Sequence, residues 1–181
     1  MKITIDEINE RNVPYQLFLD SIKSKETLRK YKKDLQSFLK IIPVKLYKDH
    51  LGKSPRNKEP STLANIFVEL SKKDPELAAN VIATFIKNEK KVVDAGKLSA
   101  NTLPNHIKPI KVLLDANRIP VHWKSLNKLL PRRETSSNDR AYTKMELQKM
   151  MQVAPDITDK LIIQLFSSGG FRLESWNYFT W

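Results

Sequence analysis

The segment SKETLRKYKKDLQSFLKII, residues 24–42, decides the fold class of this chain. Its apolar residues recur at steps of three and four, which is the spacing of one face of an α-helix. These residues are Leu28, Tyr31, Leu35, Phe38, Leu39 and Ile42. Ser24 is a suitable N-cap residue, and Pro43 ends the pattern. The segment therefore predicts an amphipathic helix with one face on a core and one basic face in solvent.

Helix-boundary residues mark further elements on the C-terminal side. Asp74 and Pro75 predict a helix start, since Asp caps helices well and Pro loses nothing at the first helical position. Gly96 suits the position just after the end of that helix. Ser61 or Thr62 is the expected cap of the preceding helix.

The remaining apolar patterns are also helical. Ile107, Ile110 and Leu113 share one face of a helix that opens after residue 99. Thr143 and Glu146 match a capping box, with Leu147, Met150, Met151 and Val153 expected to point inward. A second helix is expected over 157–166. No stretch alternates like a strand, so we predict an all-α fold with about four main helices.

Positive charge is concentrated in two windows. The formal net charge is +12, while residues 23–33 carry a net of +5 and residues 87–133 a net of +8. Clustered Lys and Arg side chains attract polyanions, because each neutralised phosphate releases condensed counterions. The charge pattern alone is compatible with a nucleic-acid partner or with a solvated helix face.

Composition excludes several kinds of site. The chain has no cysteine, so disulfides and thiolate metal sites are ruled out, and a reducing cytoplasm is the expected compartment. His50, His106 and His122 lack the spacing of metal ligands, and no metal or other cofactor is expected. No apolar run approaches the roughly 20 residues of a membrane span, so no membrane partner is expected.

Four short patterns, in order, resemble the tyrosine recombinases of the phage-integrase family, and most of all their archaeal integrases. The patterns are 24–39, 98–107, the pair of segments 123–131 and 139–143, and Ser167-Ser-Gly-Gly-Phe-Arg172. The resemblance covers roughly residues 24–181. It implies a SAM-like core-binding helical domain over 1–130, a linker over 131–141, and the truncated start of a catalytic domain over 142–181.

The resemblance also implies a chemistry. In the family a tyrosine attacks a DNA phosphodiester, and arginines stabilise the charge that develops on the phosphate oxygens. Arg172 matches the first of these arginines. The downstream Lys, His-x-x-Arg and Tyr motifs have no counterpart, and Tyr178 lies too close to Arg172 to be the nucleophile. The chain is therefore expected to be inactive on its own, without any metal.

Double-stranded DNA is the partner that the resemblance implies, with a full-length recombinase or a second copy of the chain as candidate protein partners. The expected DNA-contact residues are the Lys and Arg residues of the two basic windows and the linker. They are Lys25, Arg29, Lys30, Lys33, Lys90, Lys91, Lys97, Lys108, Lys111, Arg132 and Arg133. Trp123 is interpreted as a core anchor under the linker rather than as a base-stacking residue.

Three functions remain open on the sequence. The first is DNA binding in integrase-type recombination and DNA integration by a chain without catalysis of its own. The second is one fragment of an active recombinase whose remaining catalytic domain is encoded downstream. The third is a helical protein-interaction module with no nucleic-acid role.

Overall fold

The computed structural model describes residues 13–132, 134, 140–170 and 178. Within these residues the secondary structure is helical and no strand is present, so the predicted all-α class is confirmed. The chain divides into two compact units, Met1–Glu134 and Thr135–Trp181.

The described part of the first unit contains seven helices. They are α1 Pro14–Asp20, α2 Lys25–Ile41, α3 Val44–Leu51, α4 Pro60–Lys73, α5 Pro75–Asp94, α6 Leu103–Ala116 and α7 Trp123–Asn127. The four longest helices are α2, α4, α5 and α6. Helix α6 packs against α1, α2, α4 and α5, whereas α3 packs against α4 and α7 against α5. The core lies among the four long helices.

Local capping explains where two of these helices begin and where one ends. The Ser24 hydroxyl accepts the N–H of Thr27 at 3.4 Å, and Asp74 Oδ1 accepts the N–H of Leu77 at 2.8 Å. Both predicted N-caps are confirmed. Gly96 has a φ of +71°, and the two backbone hydrogen bonds of a Schellman motif close α5 at 2.8 and 3.1 Å.

The predicted start of α4 is wrong. The helix begins at Pro60, before Ser61 and Thr62, and its N-cap residue Glu59 makes no side-chain capping bond. Proline at the first helical position needs no partner for an N–H and has its φ already set, so a hydroxyl cap is not required. Helices α1 and α3 were also not predicted, because each holds only two turns.

The core of the first unit is built on three phenylalanine rings. Phe38 of α2 contacts Phe67 of α4 and Phe85 of α5, each with edge-to-face geometry and 5.2 Å between ring centroids. All three side chains are buried. Offset and edge-to-face pairs add about 0.5–1.5 kcal/mol beyond area burial. These contacts fix α2 on α4 and α5, and thereby orient the basic face of α2 toward solvent.

The end of α6 is held by a buried amide and a left-handed residue. Asn117 Nδ2 donates to the carbonyl oxygens of Pro14 at 3.1 Å and Leu113 at 2.8 Å, which ties α1 to α6. Arg118 follows with a φ of +57°, and the N–H of Ile119 bonds to the carbonyl of Leu114 at 3.0 Å. This is a Schellman ending in which arginine occupies the position usually taken by glycine.

The described part of the second unit contains α8 Lys144–Val153 and α9 Ile157–Gly169. The predicted capping box is confirmed: Glu146 Oε2 accepts the N–H of Thr143 at 2.8 Å, and Thr143 Oγ1 accepts the N–H of Glu146 at 3.3 Å. Helix α9 runs three residues past its expected end at 166, and Gly170, with a φ of +60°, follows its last residue.

Burial in this second unit differs from the prediction. Leu147, Met150 and Met151 are half-buried, whereas Val153 is 79% exposed, so its expected inward position is wrong. No residue of α8 or α9 is fully buried. Val153 lines an open hollow together with Met150, Ile162 and Ile163, so solvent reaches its side chain there.

Candidate nucleic-acid interface

The candidate interface is the set of exposed basic side chains on the first unit. Ten of the eleven predicted contact residues are described, and all ten are exposed. They are Lys25, Arg29, Lys30 and Lys33 on α2, Lys90 and Lys91 on α5, Lys97 after α5, Lys108 and Lys111 on α6, and Arg132 after α7. Arg133 lies outside the described residues, as does the predicted catalytic Arg172.

Most of these cations have no acidic partner. Arg29 pairs with Glu26 at 3.2 Å, but the two side chains are 84% and 82% exposed, so the pair holds the guanidinium only weakly. The other nine make no salt bridge within the described residues. Their charge is therefore available to a polyanion.

Helix α2 carries the first group of cations. Lys25, Arg29 and Lys33 follow each other at steps of four, and Lys30 lies beside them on the same exposed face. At 1.5 Å per residue, this row is about 12 Å long. That length equals between three and four base-pair rises of about 3.4 Å. The row can thus follow a strand backbone over several nucleotides.

A second group surrounds a surface hollow between α6 and α7, which we call the α6–α7 hollow. Its lining residues are Pro104, Ile107, Lys108, Lys111, Trp123, Asn127, Leu130 and Pro131, and its volume is about 340 Å³. Lys108 Nζ donates to Asn105 Oδ1 at 2.8 Å, and Lys111 Nζ lies 5.8 Å from the centroid of the Trp123 ring. Arg132 directly follows the last lining residue. The hollow therefore brings three predicted contact residues to one place.

The cations of α5 adjoin a hydrogen-bonded contact between Glu89 of α5 and His106 of α6. Glu89 Oε2 lies 2.8 Å from His106 Nδ1, and both side chains are about one-quarter exposed. Lys90 and Lys91 follow Glu89 directly and are exposed. Since α2 and α5 both pack against α6, the three basic helices are neighbours in the fold.

Asn101 holds the start of the segment after α7 against the first unit. Its Nδ2 donates to the carbonyl oxygen of Glu134 at 2.7 Å. This bond fixes the backbone two residues after Arg132, near the entrance to α6. The backbone is therefore held on both sides of Arg132, by Pro131 at the α6–α7 hollow and by the bond from Asn101 to Glu134.

Trp123 has a place in the site that the sequence interpretation missed. The side chain packs against the core, as the core-anchor interpretation states, but its ring also lies under the ammonium group of Lys111. Its Nε1 is buried and has no hydrogen-bond acceptor among the described residues. Lys111 and Trp123 are 12 positions apart, with a loop between their helices, so no local pattern indicates their contact.

Two other kinds of site have no support in the described residues. The described residues contain no group of three or more His, Cys, Asp or Glu side chains that could hold a metal ion. No helix among them has both the length and the apolar character needed to cross a membrane.

Comparisons with protein-family models, with curated proteins and with solved structures found no match to this chain.

Proposed function

We propose that this chain binds double-stranded DNA, as the core-binding part of integrase-type site-specific recombination. The observation that carries the proposal is the set of exposed cations, almost all without acidic partners, on the neighbouring helices α2, α5 and α6. The link to recombination, and to a SAM-like core-binding domain, rests on the sequence resemblance to tyrosine recombinases. The proposal includes a cytoplasmic location for the chain.

The α2 row and the cations around the α6–α7 hollow would mainly contact phosphates. Such contacts set the position of a protein on the duplex, while base-edge contacts supply sequence preference. Exposed lysine and arginine side chains remain partly hydrated when they contact phosphates, and counterion release favours their binding to DNA. Sequence-neutral, strongly salt-dependent binding is the behaviour that this surface supports.

The proposal gives this chain no catalytic step of its own. Arg172 would contribute one guanidinium to a phosphate oxygen, but strand cleavage also needs a nucleophile and a proton donor. The family motifs that supply them have no counterpart in residues 1–181. A partner chain or a longer product of the same gene would have to provide them.

A charge-reversal pair tests the proposal. Lys30→Glu/Lys33→Glu replaces two exposed cations of α2, and we expect DNA affinity to fall by at least about 10-fold, since two phosphate contacts become repulsive. Lys45→Glu/Lys48→Glu on α3 is the matched control, with the same change in net charge at exposed positions. Fluorescence anisotropy with a labelled duplex measures both, after circular dichroism shows that both variants are folded. Equal losses for the two pairs would contradict a localised interface.

A second candidate function is a protein-interaction module, and one observation favours it. An apolar groove of about 400 Å³ lies between the end of α2, α3 and α5, lined by residues that include Ile42, Leu77 and Val81. Ile41 at this groove is 55% exposed. A wild-type chain that does not bind duplex DNA at low salt would reject the first proposal and leave this one.

A further inference from the structure

We infer that the α6–α7 hollow binds one nucleotide of a DNA strand, with the phosphate at Lys108 and Lys111 and the sugar against the apolar wall. In this subsite Trp123 positions the Lys111 ammonium group. The inference rests on the proposed DNA binding and assigns a specific place to one of its contacts.

The size and chemistry of the hollow fit a nucleotide. Its volume of about 340 Å³ lies at the lower end of the roughly 300–1,000 Å³ of small-molecule sites. Ile107, Leu130 and Pro131 form an apolar wall, while two lysines and Asn127 supply polar groups. A phosphate joined to a sugar has the same division into a charged and a less polar part.

The two lysines lie close enough to share one phosphate. Lys108 and Lys111 are three residues apart on α6, so their Cβ atoms are about 5–6 Å from each other. Neither makes a salt bridge with a carboxylate of the described residues. Two unpaired ammonium groups on one turn of a helix repel each other, and an anion between them removes that repulsion.

Both lysines are already oriented in the unbound chain. Lys108 Nζ is held by Asn105 Oδ1 at 2.8 Å, and Lys111 Nζ lies over the Trp123 ring at 5.8 Å from its centroid. A ring face attracts a cation but leaves its hydrogen-bond donors free for an incoming oxygen. Ordering the side chain before binding lowers the entropy lost on binding.

Trp123 acts through Lys111 rather than by stacking on a base. The ammonium group lies over its ring, so an incoming group meets the charge before the ring. The indole Nε1 is buried, so it does not reach a ligand in the hollow. Packing against the core holds the ring in place.

The neighbouring chain favours a strand of DNA over an isolated anion. Arg132 directly follows Pro131 of the hollow, and the bond from Asn101 to the Glu134 carbonyl holds that segment in place. A third exposed cation is thus available for the next phosphate of a strand whose first nucleotide lies in the hollow.

A double-mutant cycle in the full chain tests the subsite, with anisotropy of a labelled duplex as the readout. We expect Lys111→Gln to weaken binding about 3- to 10-fold and to reduce the slope of log Kd against log salt by about 0.9, the value of one phosphate contact. Trp123→Met, which keeps apolar volume without a ring, should weaken binding by a smaller factor. The double variant should be no weaker than Lys111→Gln alone, because tryptophan acts through that lysine.

Two further variants separate positioning from folding. Trp123→Phe keeps a ring under the ammonium group and should retain most of the affinity that Trp123→Met loses. Lys124→Gln on α7 removes an exposed cation outside the hollow. It should weaken duplex binding less than Lys111→Gln does. Additive losses in the cycle, or equal losses for Phe and Met, would reduce Trp123 to a structural residue and overturn its positioning role.

A ligand titration tests the sugar contact. In NMR spectra, thymidine 5′-monophosphate should shift the Ile107 methyl resonances more than inorganic phosphate does at the same concentration. Equal shifts would overturn the assignment of the sugar to the apolar wall.

Lys30→Gln distinguishes the two proposals. If it weakens duplex binding while Lys111→Gln does not, the subsite is wrong and DNA binding stands. If the wild-type chain binds no duplex at low salt, the proposed function and the subsite both fail.

Discussion

The first unit and the second unit are both helical, but their helices are stabilised differently. In the first unit, phenylalanine rings from three helices meet in a buried core. In the second unit, α8 and α9 contain no fully buried residue. Their helix starts are nevertheless well capped, by Thr143 and Glu146 for α8 and by Asp156 for α9. Within the part of the chain that the structure describes, good local signals therefore form helices in both units, whereas fully buried core residues occur in the first.

This difference assigns separate sources of stability. Isolated helices of fewer than about 12–15 residues are marginal in water. Helices α8 and α9 have 10 and 13 residues, so their caps and their contact with each other matter most. The basic surface of the first unit, in contrast, is supported by a core that fixes the directions of α2 and α6.

The largest expected effect comes from emptying the core. Phe38→Ala removes the ring that contacts Phe67 and Phe85, and it should cost about 3–5 kcal/mol of unfolding free energy in the first unit. Met150→Ala, at a half-buried position of the second unit, is the control and should cost less than about 1 kcal/mol. Urea unfolding followed by circular dichroism and NMR measures both changes. Similar costs would remove the distinction between the units.

A smaller loss is expected when the link between α1 and α6 is broken. Asn117→Ala deletes the amide that bonds to the carbonyls of Pro14 and Leu113, and it should cost about 1–3 kcal/mol. Asn80→Ala, an exposed position on α5, serves as the control with no expected loss. Amide exchange should accelerate in α1 before it does in α2. Unchanged protection of α1 in the variant would mean that packing alone holds this helix.

The first unit should gain stability from a change at the left-handed position. Arg118→Gly relieves a positive φ that costs a non-glycine residue about 1–2 kcal/mol, partly offset by the greater freedom of glycine when unfolded. We expect a net gain of roughly 0.5–1 kcal/mol. Arg118→Ala keeps the strained backbone and should give no comparable gain. A thermal melt that ranks alanine at or above glycine would argue against strain at this position.

The second unit should respond to acid through its capping box. Two bonds from Arg140, together with bonds from Thr143, lower the pKa of Glu146 to about 2. Because the pKa of Glu146 is depressed in the folded state, its ionised carboxylate stabilises the second unit above the ordinary glutamate pKa of about 4.3. This stabilisation is lost as pH falls toward about 2. NMR titration of the Glu146 carboxyl carbon should show a midpoint near 2, and Arg140→Gln should raise it. A wild-type midpoint near 4.3 would contradict the bonds from Arg140 and Thr143 to this carboxylate.

The sequence predicts elements whose causes are local. Asp74, Gly96 and the Thr143–Glu146 pair act within one turn, and each has the predicted role in the structure. The prediction for the start of α4 was wrong, because a proline at the first helical position made a hydroxyl cap unnecessary.

Features that depend on distant residues were not predictable in this way. The left-handed Arg118 lacks the glycine that usually marks such a position. The contact of Lys111 with Trp123 depends on how α7 returns to α6. The eleven predicted contact cations follow from charge alone, and ten of them are exposed, but their use in DNA binding stays a prediction.

The central claim is that the exposed cations of the first unit bind the phosphates of duplex DNA. The dependence of Kd on salt concentration tests it most directly. If only the four cations of α2 each neutralise one phosphate, log affinity should fall with log salt with a slope of about −3.6, so that binding weakens about 150-fold between 50 and 200 mM salt. Further contacts at the α6–α7 hollow would steepen this slope. An affinity that changes less than about 5-fold over that range would contradict the claim.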